Sequence, residues 1–213
     1  VQNKCAGIQV GISVATKSVI FDLFGTLVKF GTMHHPYRKL LKWARENGRA
    51  VQADDARYLM TTNLSVSELA ASMGINAPQI LLDQINKEIV EELKSLALYD
   101  DVYPVFEQLN SQGVKIAICS NLAKPYGKAV ELLPPEIPVL KGLSYELGTI
   151  KPEPEIYSWI LKMAGVDSAE TLFIGDTFIA DYEGPRKMGI PALHLTRKGS
   201  TMPHEISSLR EII

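Results

Sequence analysis

The sequence of 213 residues is poor in cysteine, tryptophan and histidine, with two, two and four residues respectively. Because Cys5 and Cys119 are far apart in the chain, we expect no disulfide framework, and a reducing, cytoplasmic location fits best. No apolar run approaches the roughly 18 residues that suggest a membrane span. Lysine and arginine form no dense block, and the formal net charge is −2. We therefore predict that neither a nucleic acid nor a membrane is a partner.

The first 17 residues form an N-terminal arm that has two interpretations. Lys4 followed by apolar and small residues resembles a secretory signal peptide. The apolar residues of this arm, however, alternate with small or polar ones, and they are Ile8, Val10, Ile12 and Val14. A period of two favours a half-buried strand over a helical export segment. We predict an extra strand over residues 7–15.

From residue 18 onward, predicted strands alternate with helices around one long helical block. The composition is ordinary for a globular protein, with 46% hydrophobic residues, and allows one core and a smaller unit. The pattern predicts a strand over 19–22, a helical block without strands over 34–98, and then helix 105–112, strand 114–119, helix 126–133, strand 142–145, helix 154–164, strand 171–174, helix 181–188 and a final strand over 192–195. Such alternation indicates an α/β fold with a doubly wound parallel sheet, over which the helical block stands as a smaller α-helical cap.

Polar residues follow four of the predicted strands, at the edge where open parallel sheets place ligands. Asp22 ends the first strand, and Ser120 follows the second strand of the sheet. Lys151 lies in a later loop, and Asp176 follows another strand, with Asp181 five residues further on. Each residue alone has a structural explanation, such as a helix cap or a solvated loop. Together they place an acid, a hydroxyl, a cation and a second acid pair at one site.

These residues belong to four motifs that resemble, in order and spacing, those of the haloacid dehalogenase superfamily of hydrolases. The motifs are Asp22-Leu23-Phe24-Gly25-Thr26, Ser120-Asn121, Lys151-Pro152, and Gly175-Asp176 with Asp181. The gap between the first two motifs leaves room for a helical cap. The resemblance implies an N-terminal arm over 1–17, a Rossmann-like core formed by 18–32 and 99–213, and a helical cap over 33–98.

The resemblance also implies the catalytic roles. Asp22 would attack phosphorus or carbon and form an aspartyl intermediate, which divides one difficult displacement into two easier ones. Thr26 would hydrogen-bond the phosphate-binding loop or orient Asp22. Ser120 and the backbone around Asn121 would donate to anionic substrate oxygens. Lys151 would stabilise the nucleophile and the negative charge that develops during the reaction.

A magnesium site is implied by the same resemblance. Asp176, with Asp181, would bind Mg²⁺ together with Asp22 and the main-chain carbonyl of Phe24, an all-oxygen set suited to a hard cation. Gly25 would permit the tight turn beside this site. The metal would reduce the repulsion between an anionic substrate and an anionic nucleophile.

Phe24 is the main departure from the family pattern. Most phosphatases of the family carry an aspartate there, which protonates the leaving group, and such general acid/base help contributes about 10²- to 10⁴-fold. Related dehalogenases carry an aromatic residue there, but they use no Mg²⁺ and have no acid at the position of Asp176. We favour a Mg²⁺-dependent phosphatase of small phosphorylated molecules. A metal-independent 2-haloacid dehalogenase and a weakly active module that binds a phosphorylated ligand or a protein stay open.

Substrate selection is expected in the cap and in the loop after the first motif. The polar candidates there are Lys29, His34, His35, Tyr37 and Arg38. Among them we select Arg38 as a substrate-binding residue, because a cation would hold an anionic leaving group. In the resembling fold the first strand is flanked on both sides, so the N-terminal arm must pair with an outer sheet edge, the cap stem or a second chain. The protein is therefore expected to be a monomer or a homodimer.

Overall fold

A six-stranded parallel sheet lies at the centre of the fold. The computed structural model describes residues 12–13 and 15–213. The strands are β1 (Ser18–Phe21), β2 (Val28–Lys29), β3 (Ala97–Leu98), β4 (Lys115–Ser120), β5 (Val139–Leu143), β6 (Thr171–Gly175), β7 (Ala192–Leu195) and β8 (Glu205–Ile206). Their order in the sheet is β5-β4-β1-β6-β7-β8, while β2 and β3 form a separate antiparallel pair. The predicted parallel α/β sheet is confirmed, and β1 is flanked on both sides.

Helices connect and cover these strands. The α-helices are α1 (Pro36–Glu46), α2 (Asp55–Thr61), α3 (Val66–Ser72), α4 (Gln79–Lys94), α5 (Val102–Ser111), α6 (Ser144–Leu147), α7 (Pro154–Ala164) and α8 (Gly184–Lys187). Three 3₁₀ segments cover Lys124–Leu132, Ser168–Glu170 and Leu209–Ile212, and a π-helical segment covers Phe178–Glu183. Helix α7 has the boundaries that the sequence predicts, because a proline opens it and Gly165 follows it in the left-handed conformation.

Alternate residues of β1 pack into cores on the two faces of the sheet. Val19 and Phe21 face one core, where the ring of Phe21 lies 5.4 Å from that of Phe106 in α5. Ile20 faces the other core, which contains Tyr157 of α7. All three strand residues are inaccessible to solvent. The period of two in a strand therefore explains why helices cover both faces.

Helices α1 to α4 follow one another between β2 and β3 and pack around an apolar cluster that includes Leu40, Leu69 and Ile85. The helical spacing of apolar residues in the sequence predicts one apolar stripe on α1 and another on α4. The α4 stripe would include Val90, but that residue is 47% exposed. The chain leaves the sheet region through β2 and returns through β3, so the two connections of this helical block lie side by side.

A buried carboxylate joins the helical block to its surroundings. Glu92 of α4 is 2% exposed, and its Oε1 accepts the backbone N–H groups of His34 at 2.5 Å and His35 at 2.9 Å. Its Oε2 accepts the hydroxyl of Tyr126, which lies in the 3₁₀ segment after β4. One side chain thereby fixes the end of α4, the segment before α1 and a loop at the end of the sheet.

Two predicted boundaries near the middle of the chain are wrong. The predicted helix over 126–133 is a 3₁₀ segment, because Pro125 and Gly127 disfavour a regular α-helix there. The predicted strand over 142–145 begins earlier, at Val139, where pairing with β4 begins, and Tyr145 belongs to α6.

Three further predictions of secondary structure are wrong, one at the end of the helical block and two in the last third of the chain. The block over 34–98 was predicted without strands, yet β3 lies at its end, where pairing with β2 stabilises only two residues. The predicted helix over 181–188 divides into the π-helical segment and α8, with Gly184 and Pro185 at the division. Strand β7 is not the last strand, since β8 follows it and is too short to show periodicity.

The predicted strand over 7–15 lies largely outside the described residues, since residues 1–11 and 14 are not among them. Of its described residues, Ile12 donates its N–H to the carbonyl of Ile212 at 3.0 Å, and Ala15 lies in a turn. Cys119 is a buried free thiol. Within the described part of the chain, no helix has the length and apolar character needed to cross a membrane.

We expect that Glu92→Ala will lower the free energy of unfolding by about 2–4 kcal/mol, because two partly buried N–H groups and the hydroxyl of Tyr126 lose their acceptor. The free energy is measured by urea denaturation. Asp83→Ala is the matched control, because Asp83 lies exposed on the same helix, and its loss should cost about 0.5 kcal/mol or less. Equal losses in the two variants would contradict the joining role of Glu92.

Candidate active site

The three central strands bring the first, second and fourth motifs to one edge of the sheet. Asp22 directly follows β1 and donates its N–H to the carbonyl of Ile174 in β6 at 2.9 Å. Ser120 is the last residue of β4, and Asp176 directly follows β6. Because β4 and β6 pair with β1 on its two sides, these residues lie at the carboxyl ends of neighbouring strands. The sequence predicted this arrangement.

Lys151 carries a buried cation into the centre of the site. Its Nζ donates to Oδ1 of Asp22 at 2.7 Å and to Oδ1 of Asp181 at 2.6 Å, and the residue is only 3% exposed. The backbone of Lys151 is held by the side chain of Asn121. The Nδ2 of Asn121 donates to the Lys151 carbonyl, and its Oδ1 accepts the Lys151 N–H, both at 2.7 Å. These contacts bring the second and third motifs together.

Asp181 is held on both of its carboxylate oxygens. One oxygen bonds Lys151, and the other accepts the backbone N–H of Thr177 at 2.9 Å. The side chain is fully buried in the π-helical segment. A β-carbon on Gly175 would overlap this carboxylate, so the absence of a side chain at that position allows the close approach.

Three carboxylates form a cluster that fits a divalent cation. Asp22, Asp176 and Asp181 each offer an oxygen, and these oxygens lie within 4.8 Å of one another. The three carboxylates with the ammonium of Lys151 carry a formal charge of −3 + 1 = −2. Oxygen donors and this charge suit Mg²⁺. Across the described residues, no hydrogen bond ends on the carbonyl oxygen of Phe24, which leaves that oxygen able to join the set.

The turn after Asp22 is shaped by Gly25. This residue has φ 82°, a conformation that favours glycine, and a β-carbon there would overlap the carboxylate of Asp176. The first motif and the acid of the fourth motif are therefore in close contact. A larger residue at position 25 would displace one of them.

Burial and neighbouring charges set the ionisation of the site. Burial raises the pKa of Asp22 to about 7, although the ammonium of Lys151 opposes this and the charge of Asp181 adds to it. Burial disfavours the charged form of Lys151, but the carboxylates of Asp181 and Asp22 outweigh that effect and raise the pKa of the lysine. The lysine is therefore a fixed cation rather than a proton donor.

Phe24 stands beside an aromatic cluster. Its ring stacks on Phe30 with centroids 4.9 Å apart and meets the ring of Tyr126 edge-on at 6.1 Å. Tyr126 also contacts Tyr37 of α1, at 6.4 Å. The cluster contains two tyrosine hydroxyls, and burial raises the pKa of both. The carboxylate of Glu92 accepts the hydroxyl of Tyr126 at the edge of the cluster. The cluster offers no ready acid for a leaving group at neutral pH.

Thr26 and Arg38, two of the predicted site residues, make different contacts from those expected. Thr26 is fully buried, but its hydroxyl has no hydrogen-bond partner among the described residues and does not orient Asp22. Arg38 is exposed on α1 and lines a cavity of about 270 Å³, together with Phe30 and Tyr126. The lining of that cavity includes no member of the acid cluster.

Sequence reasoning missed three features of the site. The ion pair between Asp181 and Lys151, the Asn121 contacts and a bond from Arg197 to the Thr26 carbonyl all join residues far apart in the chain. The spacing of Asp176 and Asp181 signalled the acid pair but not its bond to the lysine. No local pattern marks Arg197.

Comparisons with known proteins agree with this geometry. A family model described as haloacid dehalogenase-like hydrolase matches residues 16–189. The glyceraldehyde 3-phosphate phosphatase of Methanopyrus kandleri is 27% identical, and the match covers 85% of this chain and 84% of that protein. A haloacid dehalogenase (HAD) phosphatase structure from Thermococcus onnurineus has a TM-score of 0.58 and 23% identity, and the match covers 92% of this chain and 95% of that one.

A third protein shares the fold. It is a HAD family enzyme from Bacteroides thetaiotaomicron in complex with magnesium and inorganic phosphate, with a TM-score of 0.58, 20% identity, and coverage of 87% of this chain and 96% of that one. The family-model match includes Asp22, Lys151 and the acid pair of the fourth motif. The chain is an enzyme that belongs to the haloacid dehalogenase-like hydrolases.

Proposed function

We propose that the protein is a Mg²⁺-dependent phosphatase that acts on a small phosphorylated molecule through an aspartyl-phosphate on Asp22. The observation that carries this proposal is the cluster of three carboxylates around Lys151, because an acid cluster of this charge suits a divalent cation. The Methanopyrus relative is named as a phosphatase, and the Bacteroides enzyme is described with magnesium and inorganic phosphate. Both descriptions support the same chemistry.

In the proposed reaction, a carboxylate oxygen of Asp22 bonds to phosphorus while the bond between phosphorus and the leaving oxygen breaks. Water then attacks the aspartyl-phosphate, which releases inorganic phosphate and regenerates Asp22. Lys151 holds the carboxylate in position and neutralises part of the charge that develops on the phosphoryl oxygens. Ser120, Asn121 and Gly25 are assigned to substrate binding.

Asp22, Asp176, Asp181 and the carbonyl of Phe24 would hold Mg²⁺, which supplies electrostatic shielding between the anionic substrate and the anionic nucleophile. We propose further that residues 33–98 act as a cap, and that Arg38 contacts the leaving group. The protein would work in the cytoplasm as a monomer or homodimer. Nucleic acids and membranes are not proposed as partners.

The aromatic surroundings of Phe24 restrict the substrate. Because no acid stands at this position, the leaving group should need little protonation, or its proton should come from the cap. Phe24 is also the residue that favours a metal-independent 2-haloacid dehalogenase. Asp176 speaks against that alternative: it is exposed, but its carboxylate lies close to those of Asp22 and Asp181, and a bound cation would offset the repulsion among the three.

We expect that Asp22→Asn will reduce Mg²⁺-dependent hydrolysis of p-nitrophenyl phosphate by at least about 10³-fold, because the amide is not a nucleophile. Initial rates with and without Mg²⁺ provide the measurement. Asp100→Asn is the control, because Asp100 is exposed and outside the cluster, and it should keep wild-type activity. Turnover that survives in Asp22→Asn would refute the aspartyl intermediate. Chloride release from a 2-haloacid without metal would support the dehalogenase instead.

The apparent affinity for Mg²⁺ should fall about tenfold between pH 8 and pH 6, because a carboxyl with a pKa near 7 must lose its proton before it can bind the cation. The sign follows from the raised pKa: Asp22 is increasingly protonated as the pH falls through 7, and the proton competes with the metal. Titration calorimetry across this range measures the effect. Asp22→Asn should remove the pH dependence near neutrality, and an equal dependence in both proteins would assign it to another group.

Restoring an acid beside the nucleophile should broaden the range of leaving groups. We expect that Phe24→Asp will raise kcat/KM for an alkyl phosphate about 10²-fold relative to Phe24→Leu, since the carboxyl can protonate a poor leaving group. For p-nitrophenyl phosphate, kcat/KM should differ much less between the two variants. Equal values of kcat/KM for the alkyl phosphate in the two variants would show that the missing acid does not limit the reaction.

A further inference from the structure

Arg197 makes three contacts around the turn that follows the nucleophile. Its Nη2 donates to the carbonyl of Thr26 at 2.5 Å, and its Nη1 donates to Oδ2 of Asp101 at 2.5 Å. The guanidinium carbon lies 3.9 Å from the centre of the Tyr99 ring. A planar guanidinium is suited to such a combination of directed bonds and stacking, which an ammonium cannot reproduce.

Asp101 fixes the far side of this guanidinium. Its Oδ2 also accepts the Ser208 hydroxyl at 2.8 Å and the Leu209 N–H at 2.9 Å, and the residue is 6% exposed. These donors come from the last segment of the chain. The position of Arg197 is therefore set by a buried anchor and a ring rather than by solvent.

The Thr26 carbonyl belongs to the turn that carries the catalytic groups. In that turn, the Gly25 N–H donates to the Val28 carbonyl and the Leu27 N–H donates to the Leu23 carbonyl, both at 2.8 Å. Gly25 touches the carboxylate of Asp176, as described above. A shift of the turn would therefore change the distance between Asp22 and the acid of the fourth motif.

We infer that Arg197 is a positioning residue, which holds the turn after Asp22 in the geometry that the nucleophile and the bound cation require. Arg197 lies beyond the residues 16–189 matched by the family model. It acts through Thr26 and does not touch the reacting atoms. The inference rests on the proposed phosphatase function for its kinetic readout, but cation binding tests it independently.

The test compares Arg197→Ala and Arg197→Met with Arg210→Ala. Methionine keeps an apolar side chain of similar length without donors, and Arg210 is an exposed arginine whose only described side-chain bond is a 3.4 Å contact with the Asp100 carbonyl. With p-nitrophenyl phosphate at saturating Mg²⁺, both Arg197 variants should lose at least about tenfold in kcat with KM changed less than threefold. Their dissociation constant for Mg²⁺, measured by calorimetry, should rise at least threefold.

Chemical rescue distinguishes positioning from a general loss of stability. Guanidinium chloride at low, non-denaturing concentration should restore kcat of Arg197→Ala several-fold, whereas sodium chloride at equal ionic strength should not. Arg210→Ala should show wild-type kcat and Mg²⁺ binding. If Arg197→Ala does not fold, the folded Arg197→Met variant decides the question.

Wild-type kcat and wild-type Mg²⁺ affinity in a folded Arg197 variant would overturn the inference. A loss of kcat that guanidinium does not restore, accompanied by unchanged Mg²⁺ affinity, would also overturn it. If the wild-type protein itself shows no Mg²⁺-dependent phosphatase turnover, the proposed function fails. The dissociation constants for Mg²⁺ of the wild-type protein and the Arg197 variants, measured by calorimetry, then still decide whether Arg197 positions the acid cluster.

Discussion

Lys151 lies between two buried carboxylates, and the rest of the site is arranged around this interaction. An ammonium group removed from water is costly unless charges and hydrogen bonds compensate it, and Asp22 and Asp181 do so at 2.7 and 2.6 Å. The carboxylates depend equally on the lysine, since without it three acidic side chains would lie together with no positively charged side chain among them. Asn121 fixes the backbone from which the lysine extends. Asp22 and Asp181 are therefore positioned by one shared charge.

The strand ends and their motifs could be predicted because they depend on local signals. Apolar runs identify buried strands, parallel topology brings their carboxyl ends together, and Gly25 and Gly175 mark close approaches of the backbone. The short strand β8 was not predictable in the same way. Tertiary contacts rather than propensity decide the conformation of such a short strand.

The long-range side-chain contacts were equally invisible in the sequence. Arg197 and Thr26 are 171 positions apart, and no spacing rule relates an arginine after one strand to a carbonyl in a distant turn. Asp181 was identified as an acid near the site, but its bond to Lys151 depends on the π-helical segment that orients it. Sequence patterns thus locate chemical groups, while their partners depend on how the elements pack.

The antiparallel pairing of β2 and β3 gives the helical block a stem of two strands instead of two independent linkers. The hydrogen bonds between paired strands resist sliding of one strand along the other and bending within the plane of the pair. Bending out of that plane leaves these hydrogen bonds intact. A displacement of helices α1 to α4 relative to the sheet would therefore occur mainly about one axis. Such a stem would reduce a displacement of the whole bundle to a change in a single hinge angle.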